Sequence, residues 1–289
     1  MRAFEELQDP RVVAKVEHVV ANGARIPSLG FGTYGMQRSE MLRIIPIAIQ
    51  AGFRHFDTAQ MYQNESELGE CVEHSGIARR EFFLTTKVWV SNYRPSMFAP
   101  SVEESLHRLR TDYIDLLLLH WPSAVIPLSD QLGEMSRLVA QGKVRHIGVS
   151  NFNAALVEQA TRLSKTPLAT NQFEYHPFLR QTTLLDATRR TGMAVTAYCG
   201  MAVGRVFKNS TLLEIAANHS KSVAQIVLRW LLQQKSVVAL SRSTSPERVA
   251  SNIDVFEFSL AADEMAAVSA LARPGSRVVD PPQLAPEWD

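Results

Sequence analysis

Residues 113–121 read YIDLLLLHW, a short apolar run that ends in His120 and Trp121. A run of this length, apolar at both odd and even positions, is typical of a strand that is covered on both faces of a parallel sheet. It is far shorter than the roughly 20 residues that a membrane-spanning helix needs. The run therefore predicts a buried strand that carries polar chemistry at its end.

Seven other runs of the same character precede and follow this one, and amphipathic segments of helical periodicity separate them. The eight predicted strands are 28–33, 54–59, 82–89, 113–121, 144–151, 168–175, 194–200 and 236–242. Strands alternating with helices predict parallel strands with crossover helices, and eight such units predict a (β/α)8 TIM barrel. No Gly/Ser linker divides the 289 residues, so the chain is expected to form a single barrel domain over residues 1–289.

Segments at the ends of the predicted elements give more local expectations. Asn22-Gly23 between apolar runs predicts an N-terminal β-hairpin, which could plug the lower end of the barrel. Residues 1–15 are an N-terminal extension with no role in this scheme. Ser39 is expected to cap the first helix, and Ser101, three residues before Glu104, resembles a capping box.

Composition excludes several classes of protein. The net charge is +1, which offers no uniform field for nucleic acid or an anionic membrane. The two cysteines, Cys71 and Cys199, lack the spacing of a disulfide framework or a zinc site, and no histidine pair has metal-ligand spacing. The acidic residues near the N-terminus do not resemble a signal peptide. We expect a cytoplasmic monomer that needs no metal and acts on a small molecule.

Polar or aromatic residues stand at the ends of most predicted strands. They are Asp57, Lys87, His120, Ser150 with Asn151, Gln172, Tyr198, and the run Ser241, Arg242, Ser243, Thr244. In a (β/α)8 barrel the carboxyl ends of the strands meet on one face, where the loops build the active site. These side chains are therefore predicted to share one site.

Four residues of this site suggest acid–base chemistry. Asp57 and Lys87 can form an ion pair, and Tyr62 lies in the loop just beyond Asp57. A phenol is a poor acid at neutral pH unless a nearby cation favours its ionised form, which Lys87 can provide. His120 can hydrogen-bond a substrate oxygen or join a proton relay. The set suits protonation of a carbonyl oxygen while another agent delivers hydride.

No side chain can donate a hydride, so this chemistry requires a nicotinamide cofactor. The chain has no GxGxxG between a strand and a helix, and a Rossmann site is not indicated. Ser150, Asn151 and Gln172 can hydrogen-bond a carboxamide, and Tyr198 can stack on a nicotinamide ring. Thr244 lies just before the predicted helix start at Pro246, where backbone N–H groups favour a phosphate.

The motifs GFRHFDTAQMYQNE, LTTKVW, LLLLHWP, IGVSNF, NQFEYHP and STSPERVASN together resemble the aldo-keto reductase family, over residues 17–289. The resemblance implies NADPH as the cofactor, an aldehyde or ketone as the substrate, and a catalytic set of Asp57, Tyr62, Lys87 and His120. The implied cofactor contacts are Gly32, Thr33, Ser150, Asn151, Gln172, Tyr198, Gly204, Ser241, Arg242, Ser243, Thr244, Arg248 and Asn252. The implied substrate pocket contains Tyr34, Trp89, His120 and Trp121.

Within the family, the compact loops and the ending RVVDPPQLAPEWD look like the short bacterial members that reduce 2,5-diketogluconate or methylglyoxal. Two departures stand out. Residues 199–206 read CGMAVGRV where members commonly carry a Ser-Pro-Leu-Gly loop over the pyrophosphate. Arg242 replaces the usual lysine of the phosphate loop, and Ser251 stands at a commonly acidic position.

Two other functions remain open from the sequence. The chain could be a cofactor-binding regulatory subunit of the same fold, although Tyr62, Lys87 and His120 argue for retained chemistry. It could also be a different barrel enzyme, a lyase that uses Lys87 to form a Schiff base.

Overall fold

A computed structural model describes residues 16–289, so the predicted extension 1–15 lies outside the described residues. The described chain begins with a hairpin of β1 (His18–Ala21) and β2 (Ala24–Pro27). Asn22 and Gly23 have φ values of 45° and 86°, the left-handed conformation that a two-residue hairpin turn requires. The predicted hairpin is therefore confirmed.

Eight parallel strands then close into a barrel, and each lies within one of the eight predicted segments. The strands are β3 (Leu29–Gly32), β4 (His55–Asp57), β5 (Phe83–Val88), β6 (Ile114–Leu119), β7 (Val144–Ser150), β8 (Leu168–Glu174), β9 (Ala194–Tyr198) and β10 (Val237–Ser241). Each strand pairs with the next, and β10 pairs with β3 to complete the ring. The predicted TIM barrel is confirmed.

The hairpin covers the end of the barrel at which the strands begin. Ala24 and Ile26 are fully buried in one apolar cluster with Leu116 and Leu118, which point into the barrel. The Asn22 amide nitrogen donates to the carbonyl of Leu168 at the start of β8, at 2.7 Å. This end of the barrel is thus closed by packing, and the opposite end is left for the loops.

Helices surround the barrel and cover the outward-facing strand residues. They are α1 (Arg38–Ala51), α2 (Glu65–Glu73), α3 (Pro95–Arg108), α4 (Leu128–Ala140), α5 (Ala154–Leu163), α6 (Thr182–Arg190), α7 (Ser210–Asn218), α8 (Val223–Leu232), α9 (Pro246–Ile253) and α10 (Ala262–Ser269). Along β6, Leu117 and Leu119 join the core between strands and helices, whereas Leu116 and Leu118 fill the barrel interior. Across residues 16–289, none of the helices is both long and apolar enough to traverse a bilayer.

Two predicted helix starts are wrong. Helix α1 is capped by Gln37 instead of Ser39, with its backbone N–H bonded to the Glu40 carboxylate at 3.0 Å. Helix α3 begins six residues before Ser101, because Pro95 is preorganised for a first helical turn. The Ser101 hydroxyl instead bonds to the carbonyl of Phe98, one turn back within the helix.

Helices α2 and α3 approach each other closely at Gly69. A Cβ atom at this position would lie 2.5 Å from the backbone oxygen of Arg108 and 2.6 Å from the carbonyl carbon of Leu109. Backbone atoms cannot move aside as the end of a side chain can. A Cβ atom at Gly133, also inside a helix, would meet nothing within 4 Å, so this position provides a matched control.

We expect Gly69→Ala to lower the free energy of unfolding by about 1–3 kcal/mol, the usual cost of overpacking. Gly133→Ala should raise it by up to ~1 kcal/mol, because alanine is the better helix former and nothing obstructs it. Urea unfolding of both variants checks this pair. A stabilised Gly69→Ala protein would contradict the close contact of α2 and α3.

Candidate active site

The predicted site residues all lie at the rim where the barrel strands end. Asp57 and Ser150 are the last residues of β4 and β7, Tyr198 is the last residue of β9, and Lys87 is the penultimate residue of β5. His120 and Asn151 directly follow β6 and β7. Parallel strands in a closed barrel deliver these ends to one face, so residues up to 141 positions apart in sequence share a site.

A buried ion pair lies at the centre of the rim. The side chain of Lys87 is 0% exposed, and its Nζ lies 2.5 Å from Oδ1 of Asp57. Nζ also donates to the carbonyl of Thr58 at 2.9 Å, and Oδ2 of Asp57 accepts from the amide of Gln172 at 2.7 Å. Burial lowers the pKa of Lys87, and the Asp57 carboxylate opposes that shift.

The Tyr62 phenol completes this centre. It lies on a single 3₁₀ turn (Gln60–Tyr62) after β4, and its oxygen is 3.4 Å from Nζ of Lys87. Burial raises the pKa of Tyr62 well above its ordinary value, and the nearby Asp57 carboxylate adds to the shift. The expectation that Lys87 lowers the pKa of this phenol is therefore wrong, because burial and the Asp57 charge dominate. The phenol is protonated at neutral pH and can donate a hydrogen bond or a proton.

His120 lies against the same phenol. Its ring centroid lies 5.5 Å from that of Tyr62 and 5.1 Å from that of Trp89, and both pairs meet edge to face. Burial, followed by the Lys87 charge, lowers the pKa of His120 well below its usual range. Its Nδ1 is buried and has no hydrogen-bond partner among residues 16–289. The side chain is thus a neutral imidazole.

The predicted pocket aromatics differ in exposure. Tyr34 is 63% exposed, and its ring centroid lies 5.1 Å from that of Tyr62. Trp89 is partly exposed, whereas Trp121 is 5% exposed and its carbonyl accepts from the buried phenol of Tyr93. Tyr34 and Trp89 therefore offer most of the accessible aromatic surface beside the phenol.

A second hydrogen-bonded group links the ends of β7, β8 and β9. The Tyr198 hydroxyl donates to Oδ1 of Asn151 at 2.7 Å, and the Ser150 hydroxyl donates to the carbonyl of Gln172 at 2.9 Å. Asn151 has a φ of 62°, a left-handed conformation that asparagine tolerates better than most residues. Its amide nitrogen donates to the carbonyl of His120, which connects this group to the first.

The predicted 2′-phosphate and adenine contacts lie at the end of β10, in the loop that follows it and on α9. Ser245 caps the helix, Arg242 and Arg248 are exposed, and the Asn252 amide donates to the Ser241 hydroxyl at 2.9 Å. Arg43 of α1, which the sequence did not single out, donates to the carbonyl of Thr244 at 2.9 Å. Ser243 is buried and Thr244 is partly buried beside it. Three arginines therefore lie near a helix N-terminus, whose first turn also carries the Glu247 carboxylate.

Gly32, Thr33 and Gly204 border the same rim. Thr33 is fully buried and its backbone N–H donates to the carbonyl of Asp57 at 3.0 Å, beside Gly32 at the end of β3. Gly204 ends a left-handed run in which Ala202 and Val203 have φ values of 45° and 52°. For a β-branched residue such as Val203 this conformation is strained.

Two side-chain amides, one buried and one partly buried, position the loops, and sequence reasoning missed both. Asn64 is 2% exposed; it donates to the carbonyl of Thr33 and accepts from the Thr58 hydroxyl, which joins the loops after β3 and β4. Gln60 accepts from the Trp89 backbone N–H and donates to Ser101. Both lie in the motif that contains Asp57 and Tyr62, so their proximity to those residues was the available signal.

The described residues contain no cluster of three His, Cys, Asp or Glu side chains that could hold a metal ion.

The chain is similar to known reductases over most of its length. Methylglyoxal reductase DkgB of Yersinia pestis is 37% identical over 267 residues, which cover 91% of this chain and 99% of that protein. Glyoxal reductase of Bacillus subtilis is 36% identical and covers 86% of this chain and 90% of its own length. A crystal structure provisionally named 2,5-diketo-D-gluconic acid reductase B is 52% identical, with a TM-score of 0.94 over 96% of this chain and 98% of that chain.

The sequence model of the Aldo/keto reductase family matches residues 28–273, which span all eight strands of the barrel. The match covers far more than half of the chain. It agrees with the family resemblance that the sequence motifs indicated. The chain belongs to the aldo/keto reductase family.

Proposed function

We propose that this protein reduces aldehydes and ketones to alcohols with NADPH, and that Tyr62 is the proton donor. The observation that carries the proposal is the buried centre in which Asp57, Lys87 and Tyr62 meet, beside the neutral imidazole of His120. Its natural substrates are small dicarbonyls or keto-sugar acids, such as methylglyoxal or 2,5-diketogluconate. The reductase names of the relatives support this class.

The donor set at the rim fits a nicotinamide dinucleotide. Oδ1 of Asn252 is buried with no partner among the described residues, an acceptor that suits the amino group of adenine. The partly exposed ring of Tyr198 offers a stacking surface, and the amides of Asn151 and Gln172 suit a carboxamide. When bound, the reduced nicotinamide supplies a hydride to the carbonyl carbon.

Tyr62 supplies the proton that the carbonyl oxygen needs when the carbon is reduced. The raised pKa keeps the phenol protonated until the oxygen gains negative charge. Nζ of Lys87 then lies 3.4 Å from the phenolate that forms, and its positive charge stabilises this anion. Asp57 keeps Lys87 charged and in place. Bulk water returns a proton to Tyr62 after the alcohol leaves.

His120 orients the carbonyl in this scheme and does not protonate it. With its pKa far below neutrality, the imidazole donates a hydrogen bond from a ring N–H and carries no charge. The edge-to-face contacts with Tyr62 and Trp89 fix its ring. A positioned neutral donor complements the oxygen that Tyr62 protonates.

The Schiff-base alternative is disfavoured by the surroundings of Lys87. The amine is fully buried, and its three hydrogens face three oxygens, those of Asp57, Thr58 and Tyr62. A nucleophilic amine must instead be deprotonated and reach the substrate. The regulatory-subunit alternative leaves the buried acid–base centre without a use, and turnover with NADPH and methylglyoxal tests it directly.

We expect Tyr62→Phe to lower the turnover of methylglyoxal by about 10²–10⁴-fold, the usual loss when a positioned acid is removed. The dissociation constant of NADPH should change by no more than a few-fold. Tyr113→Phe is the matched control, since its hydroxyl is buried at the opposite end of the barrel and has no partner among residues 16–289. NADPH oxidation followed by absorbance measures both variants. Wild-type turnover in Tyr62→Phe would refute the assignment of the acid.

Arg242→Ala combined with Arg248→Ala should remove most of a preference for NADPH over NADH. Charge-assisted bonds to a 2′-phosphate are strong, but both arginines are exposed and solvent screens them. We expect a wild-type preference of roughly 10- to 100-fold that shrinks as salt rises. Tryptophan fluorescence gives the dissociation constants, with Arg137→Ala and Arg190→Ala on distant helices as the control. Equal affinity of the wild type for both cofactors would contradict the phosphate site.

A further inference from the structure

Residues 277–289 form a segment with a turn at 282–284 and no helix or strand, here named the C-terminal strap. The strap begins just after Ser276, whose carbonyl accepts from Arg205 at 3.3 Å. Within the strap the Arg277 guanidinium stacks 3.6 Å above the ring of Trp288, and the Trp288 indole donates to Asp280 at 2.9 Å. These internal contacts fold the strap into one compact unit.

A buried carboxylate holds the beginning of the strap. Glu174, the last residue of β8, is 0% exposed. Its Oε1 accepts from the backbone N–H of Val278 at 2.8 Å, and its Oε2 accepts from that of Val279 at 2.7 Å. The two partners lie 104 and 105 residues away in sequence. Burying a charged carboxylate is energetically costly unless hydrogen-bond donors satisfy it, as these two N–H groups do.

His176 completes the surroundings of this carboxylate. Its Nδ1 accepts from the backbone N–H of Phe178 at 3.3 Å, so its Nε2 carries the hydrogen and donates to Glu174 at 2.8 Å. Burial acts to raise the pKa of Glu174, but the bonds from His176, Val279 and Val278 leave it lowered. Glu174 is therefore ionised at neutral pH.

The far end of the strap is bound to the start of α5. The Asn153 amide donates to the carbonyl of Glu287 at 2.7 Å, and the backbone N–H of Ala154 donates to the Asp289 side chain at 2.9 Å. The strap thus runs from the end of β8 to the loop that follows β7. It adds to the side-chain hydrogen bonds that already link the ends of β7 and β8.

These strand ends are the ones that carry the proposed nicotinamide contacts. Glu174 lies two residues after Gln172 and pairs in register with Tyr198, and Asn153 lies two residues after Asn151. We propose that Glu174 is a positioning residue: through the strap, its carboxylate holds the ends of β7, β8 and β9 in the arrangement that binds the nicotinamide half of the dinucleotide. This inference rests on the proposed function.

A site that is held in its binding arrangement before the ligand arrives binds more tightly, because less ordering is lost on association. The effect should be confined to the nicotinamide half. The adenine and 2′-phosphate half is proposed to contact β10 and α9, and within residues 16–289 neither element hydrogen-bonds to the strap.

Glu174→Gln tests the proposal with little change in volume. One N–H of the strap or of His176 would then face an amide NH₂ instead of an oxygen. We expect the dissociation constants of NADPH and NADH to rise together, on the order of ten-fold, so that their ratio stays unchanged. The dissociation constant of 2′,5′-ADP, which lacks the nicotinamide, should stay within about two-fold of the wild-type value. Glu158→Gln, which neutralises an exposed carboxylate of α5, is the control and should alter none of these values.

Hydrogen exchange on the unaltered protein gives an independent test. It decides between the outcomes even when the Glu174→Gln variant fails to fold. Coupling between two sites is reciprocal, so NADPH should slow exchange at the amides of Val278 and Val279, whereas 2′,5′-ADP should not. Unchanged exchange with NADPH bound would overturn the proposal, as would an equal loss of NADPH and 2′,5′-ADP affinity in Glu174→Gln. If the wild type bound neither NADPH nor NADH, the proposed function would fail together with this inference.

Discussion

The ion pair of Lys87 and Asp57 is the constraint on which the rest of the site depends. Removing two charges from water is costly, and the cost is offset only when the pair is close and its remaining donors and acceptors are satisfied. Here Thr58 and Tyr62 face the lysine, and Gln172 satisfies the second carboxylate oxygen. Because these groups come from β4, β5 and β8, the barrel must close correctly before the pair is stable. The same requirement brings the phenol to the lysine.

Much of the fold was predictable because its signals are local. The apolar run at residues 113–121 and its seven counterparts marked the strands, since burial on both faces of a parallel sheet leaves a continuous apolar pattern. Asn22-Gly23 marked the hairpin turn for an equally local reason. The cap predicted at Ser101 was wrong because a serine followed by a glutamate also occurs inside helices, and Pro95 gave the stronger start signal.

The site was predictable to the extent that polar residues end the strands. Asp57, Lys87, Tyr62 and His120 stand at the same rim because parallel strands share a direction. Partners distant in sequence were not predictable in this way. Nothing in the residues around Glu174 indicates that it binds backbone N–H groups more than 100 positions later, and nothing around Asn64 indicates that it joins two loops. Such contacts require the closed barrel to be known.

The rim separates into regions of different physical character. The acid–base centre is buried and depends on exact hydrogen bonding, whereas the arginines at α9 are exposed and act through screened charge. Under the proposed function, catalysis and discrimination between dinucleotides can therefore change independently. The run from Ala202 to Gly204, which follows β9, carries backbone strain at Val203.

The central claim is direct hydride transfer from a nicotinamide to a carbonyl carbon at this site. The most direct measurement uses NADPH in which deuterium replaces both hydrogens on C4 of the nicotinamide. Methylglyoxal is the substrate, and mass spectrometry analyses the alcohol. The account predicts loss of nicotinamide absorbance and one deuterium atom on the carbon of each alcohol formed. An alcohol without deuterium, or no consumption of the cofactor, would contradict it.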